Sequence, residues 1–178
     1  MCGCLPAIHA RARGFTIVEL VSVLLLLGIL SAVALSRLVT DSAFAPAFAA
    51  DEIVAFTRLG QQTALSRQDA AVRVEVVADG GDWRLRVRMD PGSGTIDVRE
   101  QRVARKNTAI VAASGATSAA LSTSPLVLSF DGLGGLASAT VGAVALDPTA
   151  GVALTVTGDA SYGVCIESTG HASRGNCA

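Results

Sequence analysis

One carboxylate in the chain is conspicuous for where it sits. In RGFTIVELVSVLLLLGILSAVAL, residues 13 to 35, Glu19 lies near the start of a run that is otherwise almost wholly apolar. An unpaired charge in such surroundings costs several kcal/mol, so this carboxylate needs a cationic partner. The remaining chemistry-bearing residues are sparser. His171 stands between Cys165 and Cys177, but two sulfurs and one imidazole fall short of the usual four metal ligands. Asp51-Glu52 and Asp79-Asp82 are carboxylate pairs at predicted helix and turn positions, whereas a glycosidase needs two acids converging across a cleft. DGLGGLASATVG (131 to 142) is glycine-rich but lacks the lysine, the following Ser/Thr and the helix pattern of a phosphate cradle, and it reads as a turn. No metal and no cofactor is implied.

The element that must position Glu19 is a long apolar helix. The chain has 178 residues, 51% of them hydrophobic, with a mean hydropathy of +0.51, which is high for a soluble protein. Much of the surplus lies in Leu20 to Leu35, sixteen residues without a charge. Extended back to Phe15, the run would cover roughly 30 Å as a helix, the thickness of a bilayer's hydrocarbon core. Arg11 and Arg13 precede it, so the positive-inside rule keeps the N-terminus in the cytoplasm and sends the rest across. The formal net charge of -1 falls to about -3 without those two arginines, and no basic excess draws the exported part to nucleic acid.

A plain signal anchor would accommodate these features and leave Glu19 without a role. A secretory signal peptide would use the small-residue sites Ala43-Phe44-Ala45 or Ala47-Phe48-Ala49. Against it, the apolar run exceeds the usual signal-peptide core, an acid opens it, and both sites lie well beyond its end.

A short basic leader ending in Gly14, followed by GFTIVEL and the apolar stretch, resembles the type III signal of type IV pilins and type II secretion pseudopilins. The resemblance implies that prepilin peptidase cuts between Gly14 and Phe15 on the cytoplasmic side and that the new amine of Phe15 is methylated. Glu19 then becomes the fifth residue of the mature chain, paired with the amine of a neighbouring subunit inside a stack of apolar helices. Cys2 and Cys4 fall in the leader, and no apolar run precedes them as a lipoprotein signal would require.

Beyond the span, Ile53, Phe56, Gly60 and Ala64 recur at helical spacing, widened by Val54, Leu59 and Leu65, with Asp51, Glu52, Arg58, Gln61, Gln62 and Arg67 on the other side. This face should dock on a sheet. Pro46 predicts a kink or short break near 41 to 50. After Gln68 the period becomes two: AVRVEVVA (71 to 78) and WRLRVRM (83 to 89) flank DGGD as an antiparallel hairpin. Arg84, Arg86 and Arg88, with Arg73 and Glu75, form a solvated face with cross-strand pairing. Further strands are predicted near 96 to 103, 108 to 113, 126 to 130, 141 to 146, 152 to 157 and 162 to 167, and ASGATSAALSTSP (113 to 125) reads as a loop. The fold class is α+β, a long N-terminal helix packed on an antiparallel β-sheet head. The parts are a leader (1 to 14), a transmembrane and assembly helix (15 to 40), its amphipathic continuation (41 to 70) and a β-rich head (71 to 178).

Removal of the leader leaves only Cys165 and Cys177, an even pair in a region expected outside the cytoplasm, where disulfides persist. FTRLGQQTALSRQDAAVRVEV resembles the helix-to-strand region of the GspH/FimT group of minor pilins, and VCIESTGHASRGNC resembles that group's cysteine-bracketed terminal hairpin. TDSAFAPAF leans toward the mannose-sensitive haemagglutinin (MSHA) branch. Members proposed to bind DNA carry basic C-terminal residues, for which this loop offers only Arg174 and His171.

With His171 the one histidine of the mature chain and both cysteines paired, a catalytic triad has almost no material. The sequence therefore describes a substrate for processing and a subunit for assembly. Its implied partners are prepilin peptidase, other pilins or pseudopilins and the inner membrane, with the head in the periplasm before it joins a pilus or pseudopilus. The competing reading is an exported soluble binding module released by signal peptidase near Ala49.

Overall fold

In the computed structural model, which describes residues 16–38, 41–122 and 124–177, the chain divides into two compact units that part between Thr40 and Asp41. The proposed cleavage and methylation positions, Gly14 and Phe15, lie outside the described residues.

The first unit contributes one helix, α1 (Ile17–Leu38, 22 residues). Its leucines are good helix formers, and neither proline nor a run of β-branched residues interrupts it. Its side chains are described as far as residue 31. Among the described residues no helix is long and apolar enough to cross a membrane. The apolar run read from the sequence continues past those side chains to Leu35.

The second unit combines α2 (Asp41–Ser66) with eleven strands, all antiparallel where paired. These are β1 (Ala71–Asp79), β2 (Asp82–Asp90), β3 (Ile96–Ala104), β4 (Ala109–Ser114), β5 (Thr117–Leu121) and β6 (Leu126–Phe130). They continue as β7 (Leu136–Val141), β8 (Val144–Leu146), β9 (Val152–Thr157), β10 (Ser161–Ile166) and β11 (Ala172–Arg174). One sheet has the order β3-β2-β1-β6-β7-β8 and the other β11-β10-β9-β4-β5. The chain crosses between sheets after β3, returns after β5 and crosses again after β8.

The α+β class with antiparallel sheets agrees with the sequence reading. A single core takes Ile53, Phe56 and Ala64 from α2, Val74, Leu85 and Leu128 from the first sheet, and Ile110, Leu154 and Ile166 from the second. Gly60 marks a close approach of helix to sheet, since a methyl there would meet Val74 Cγ2 and the Phe130 ring. Trp83, fully buried, donates its indole N–H to Thr108 Oγ1 and carries the Arg105 guanidinium 4.8 Å from its ring centroid.

Four local expectations need correction. α2 runs unbroken through 41 to 50 with Pro46 inside it. The proline ring is accommodated against Gly158, where a Cβ would lie 3.2 Å from Pro46 Cγ. Leu65, read into the apolar stripe, is exposed, whereas Thr57 is fully buried with its hydroxyl donating to the Ile53 carbonyl. The expected loop 113 to 125 contains β5, whose small residues form a strand because β4 pairs with them in register, Ile110 opposite Leu121, across a turn with Gly115 at φ 56°. The expected strand at 141 to 146 is instead a hairpin of β7 and β8, turned at Gly142 with φ 57°. Consequently only the first part of the glycine-rich stretch is a turn. Asp131 Oδ1 there accepts the backbone N–H groups of Leu133 at 2.9 Å and Gly135 at 2.8 Å.

Candidate functional site

The N-terminal site is built on the first turn of α1. Thr16 caps it: its Oγ1 accepts the Glu19 backbone N–H at 3.2 Å, and its carbonyl accepts the Leu20 N–H at 3.1 Å. Thr-x-x-Glu is the spacing of a capping box, in which the first residue satisfies a helix-end donor. This capping role escaped the sequence reading, although the spacing of Thr16 and Glu19 announces it. The Glu19 carboxylate has no partner among the described residues, and an acid in the first turn is favoured there by the helix dipole.

Around it, Ile17, Val18, Leu20, Val21, Val23, Leu24, Leu25, Leu26, Leu27, Ile29 and Leu30 are all exposed. A helix apolar on every side belongs in a protein core or a membrane rather than in water. Covering these side chains would supply on the order of 10–20 kcal/mol, so α1 is built to be surrounded. Glu19 is the one ionisable side chain along this described stretch.

In the second unit the C-terminal hairpin is fastened twice. Cys165 on β10 and Cys177 just past β11 form a disulfide, with Cα atoms 5.0 Å apart. The same hairpin grips α2. Arg174 Nη1 donates to the Ala47 carbonyl at 2.8 Å and to Asp51 Oδ1 at 3.0 Å, and its guanidinium lies 4.7 Å from the Tyr162 centroid. Arg58 Nε donates to the Ala172 carbonyl at 2.8 Å, and Gln61 Nε2 to the Thr169 carbonyl at 2.9 Å. Asp51 is therefore tied to Arg174.

The charged residues of β1, β2 and β3 form cross-strand pairs as expected. Glu75 bridges Arg86 and Arg88, each at 3.0 Å, while Asp79 meets Arg84 at 3.1 Å and Arg102 at 3.4 Å. The Arg88 guanidinium is raised above its ordinary value, first by its hydrogen bond to Glu75 and its charge, then by Asp97. Asp79 and Asp82 sit opposite each other at the β1–β2 turn, with Asp79 neutralised by arginines. Among the described residues no group of three His, Cys, Asp or Glu side chains could hold a metal ion.

Residues 9–35 match the prokaryotic N-terminal methylation motif, the type IV pilin-like signal. That motif implies processing by prepilin peptidase and assembly with other pilins, and it points to a structural rather than a catalytic protein. No curated protein and no solved structure matches the chain.

Proposed function

We propose that the chain is a minor pilin or pseudopilin of the GspH/FimT kind, leaning to the MSHA branch. Prepilin peptidase cuts between Gly14 and Phe15, and α1 then holds the chain in the inner membrane as a single span with the head in the periplasm. The processed chain enters a type IV pilus or type II secretion pseudopilus, where Glu19 pairs with the Phe15 amine of a neighbour. In this reading residues 1 to 14 are leader and 15 to 40 the membrane and assembly helix, while 41 to 70 and the strands from 71 to 178 act together as the head.

The observation that carries the reading is the state of α1: apolar on every described side and exposed, behind a methylation motif, with Glu19 lacking a partner among the described residues. Lipid satisfies the apolar side chains before assembly, and neighbouring helices replace it afterwards. A carboxylate transferred into that packing requires a cation, which the free amine of an adjacent chain supplies. The disulfide-bracketed β10–β11 hairpin supports the GspH/FimT assignment. DNA is left out of the reading because Arg174 is engaged by Asp51, Ala47 and Tyr162.

Release near Ala49 is disfavoured by α2 itself. Ala45, Ala49 and Ala50 are buried in the core, and Ala47 supplies the carbonyl held by Arg174. A cut there would strip the first turns from a helix whose inner face packs on the sheets.

The test is Glu19→Ala in cells that assemble the filament. Processing at Gly14 should continue, while incorporation falls on the order of a hundredfold, as losing one partner of a buried pair costs about 3 kcal/mol or more. Unchanged incorporation would overturn the pairing.

A further inference from the structure

We infer that the open edge of β3, with the side of α2 that faces it, is a docking site for an extended, acidic segment of a partner protein, which joins the first sheet as a further antiparallel strand. The site lies wholly within the second unit and does not depend on the assembly reading.

Among the described residues β3 ends the order of the first sheet and pairs with β2 alone. Alternate N–H and C=O groups along its nine residues therefore point away from the sheet, a template for another strand. The other sheet edges are shorter, with three residues in β8 and in β11 and five in β5. Register with β2 sets the side chains. Arg99, Gln101 and Val103 stand opposite Val87, Leu85 and Trp83, which are all buried, so they lie on the core side of the sheet.

Between this edge and α2 runs a groove. Phe44, Phe48 and Val103 line a hollow of about 260 Å³, and Phe56, Leu59 and Arg99 line the next, of about 200 Å³. The two walls keep step. Val103 to Arg99 is four residues, about 13 Å of strand, and Phe48 to Phe56 is eight, about 12 Å of helix. A strand paired with β3 would send alternate side chains into the two hollows, as in other cases of strand addition to a sheet edge.

Charge selects the strand. On the outer face of β3, Asp97 is matched by Arg88 and Arg102 by Asp79. Arg99 has no ion pair among the described residues, although Glu52 borders the same hollow, and its guanidinium lies over the Phe56 ring at 5.6 Å from the centroid. An apolar residue opposite Arg99 would bury that guanidinium without a counter-charge, whereas a carboxylate there would pair with it. The hollow beside Val103 is walled by two phenylalanines and takes an apolar side chain. In antiparallel pairing the residue opposite Val103 comes first. The docking segment thus carries an apolar residue and, as far along as Val103 is from Arg99, an Asp or Glu.

A blocked, threonine-based peptide with leucine and glutamate at that spacing is the probe, added to the full-length chain in detergent micelles. Fluorescence anisotropy should show saturable binding, and amide exchange should slow in β3. Replacing the peptide's glutamate by lysine should weaken binding to the unaltered chain about tenfold, as should replacing its leucine by serine. Arg99→Glu should weaken the glutamate peptide to a similar degree and restore the lysine peptide. Arg99 is exposed, so this variant should melt near wild type. Affinity indifferent to the sign of charge, binding without protection of β3, or no binding of the leucine-glutamate peptide would each overturn the inference. Protection of β3 by self-association without peptide would overturn it too, since a second copy would then hold the edge.

Discussion

Arg174 on β11 holds Asp51 on α2 at 3.0 Å across 123 positions of sequence. The same Nη1 donates to the Ala47 carbonyl and the guanidinium stacks on Tyr162, so one side chain ties the helix to the terminal hairpin. Because the ion pair is largely exposed, most of its effect comes from the carbonyl bond and the ring. Arg174→Ala should therefore lower stability by about 1 kcal/mol. Arg174→Lys should recover part of it. Urea unfolding of the detergent-solubilised chain checks both, and an Arg174→Ala midpoint equal to wild type would contradict the clasp.

The disulfide closes the same hairpin just beyond Arg174, where β11 contributes only three residues. Closing a loop with a sequence separation of 12 constrains the unfolded chain by roughly 3 kcal/mol. Cys165→Ser with Cys177→Ser should lower the melting temperature, and dithiothreitol should have no further effect on that variant. Amide exchange should quicken first in β11 and in α2 near Ala47, with β1 and β2 little changed.

Gly60 tests the helix–sheet contact. Gly60→Ala would place its methyl against Val74 Cγ2 and the Phe130 ring, and overpacking of this kind costs about 1–3 kcal/mol. On an exposed helix position the same change would stabilise. A stabilised Gly60→Ala protein, read by thermal unfolding, would mean that α2 does not lie this close to the sheet.

Asp147 carries a pH signature. Hydrogen bonds from the Thr149 side chain and then its backbone N–H hold the carboxyl below its ordinary value. A lowered folded-state value means that its contribution is present above the unfolded value of about 3.9 and is lost as pH falls through the folded one. In an NMR titration Thr149→Val should move the Asp147 midpoint upward, and an unmoved midpoint would contradict the assigned cause.

Much of this was legible in the sequence because period and composition act locally. The two-residue alternation of β1 and β2, the apolar stripe around Ile53 and Phe56, and the oily run holding Glu19 each declare themselves within a short window. β5 did not, since Ser118, Ala119 and Ala120 at its centre are small residues with little strand preference and gain their conformation from pairing with β4. Gly142 hid the β7–β8 hairpin inside a stretch rich in other glycines. Pairing of Arg174 with Asp51 was illegible because it depends on the fold bringing distant residues together, and the burial of Thr57 leaves no mark in the pattern because its hydroxyl is satisfied by its own helix. At the N-terminus the methylation motif was readable from GFTIVEL and the apolar run, and the Thr16–Glu19 spacing carried the cap of α1 as well.

The central claim is that this chain works through a free, processed N-terminus bearing Glu19 five residues in. Intact-mass measurement and N-terminal sequencing of the mature protein from its own membrane test it most directly. The account predicts a chain beginning at methylated Phe15. A chain beginning at Ala50 or Asp51, or one retaining Met1, would contradict it.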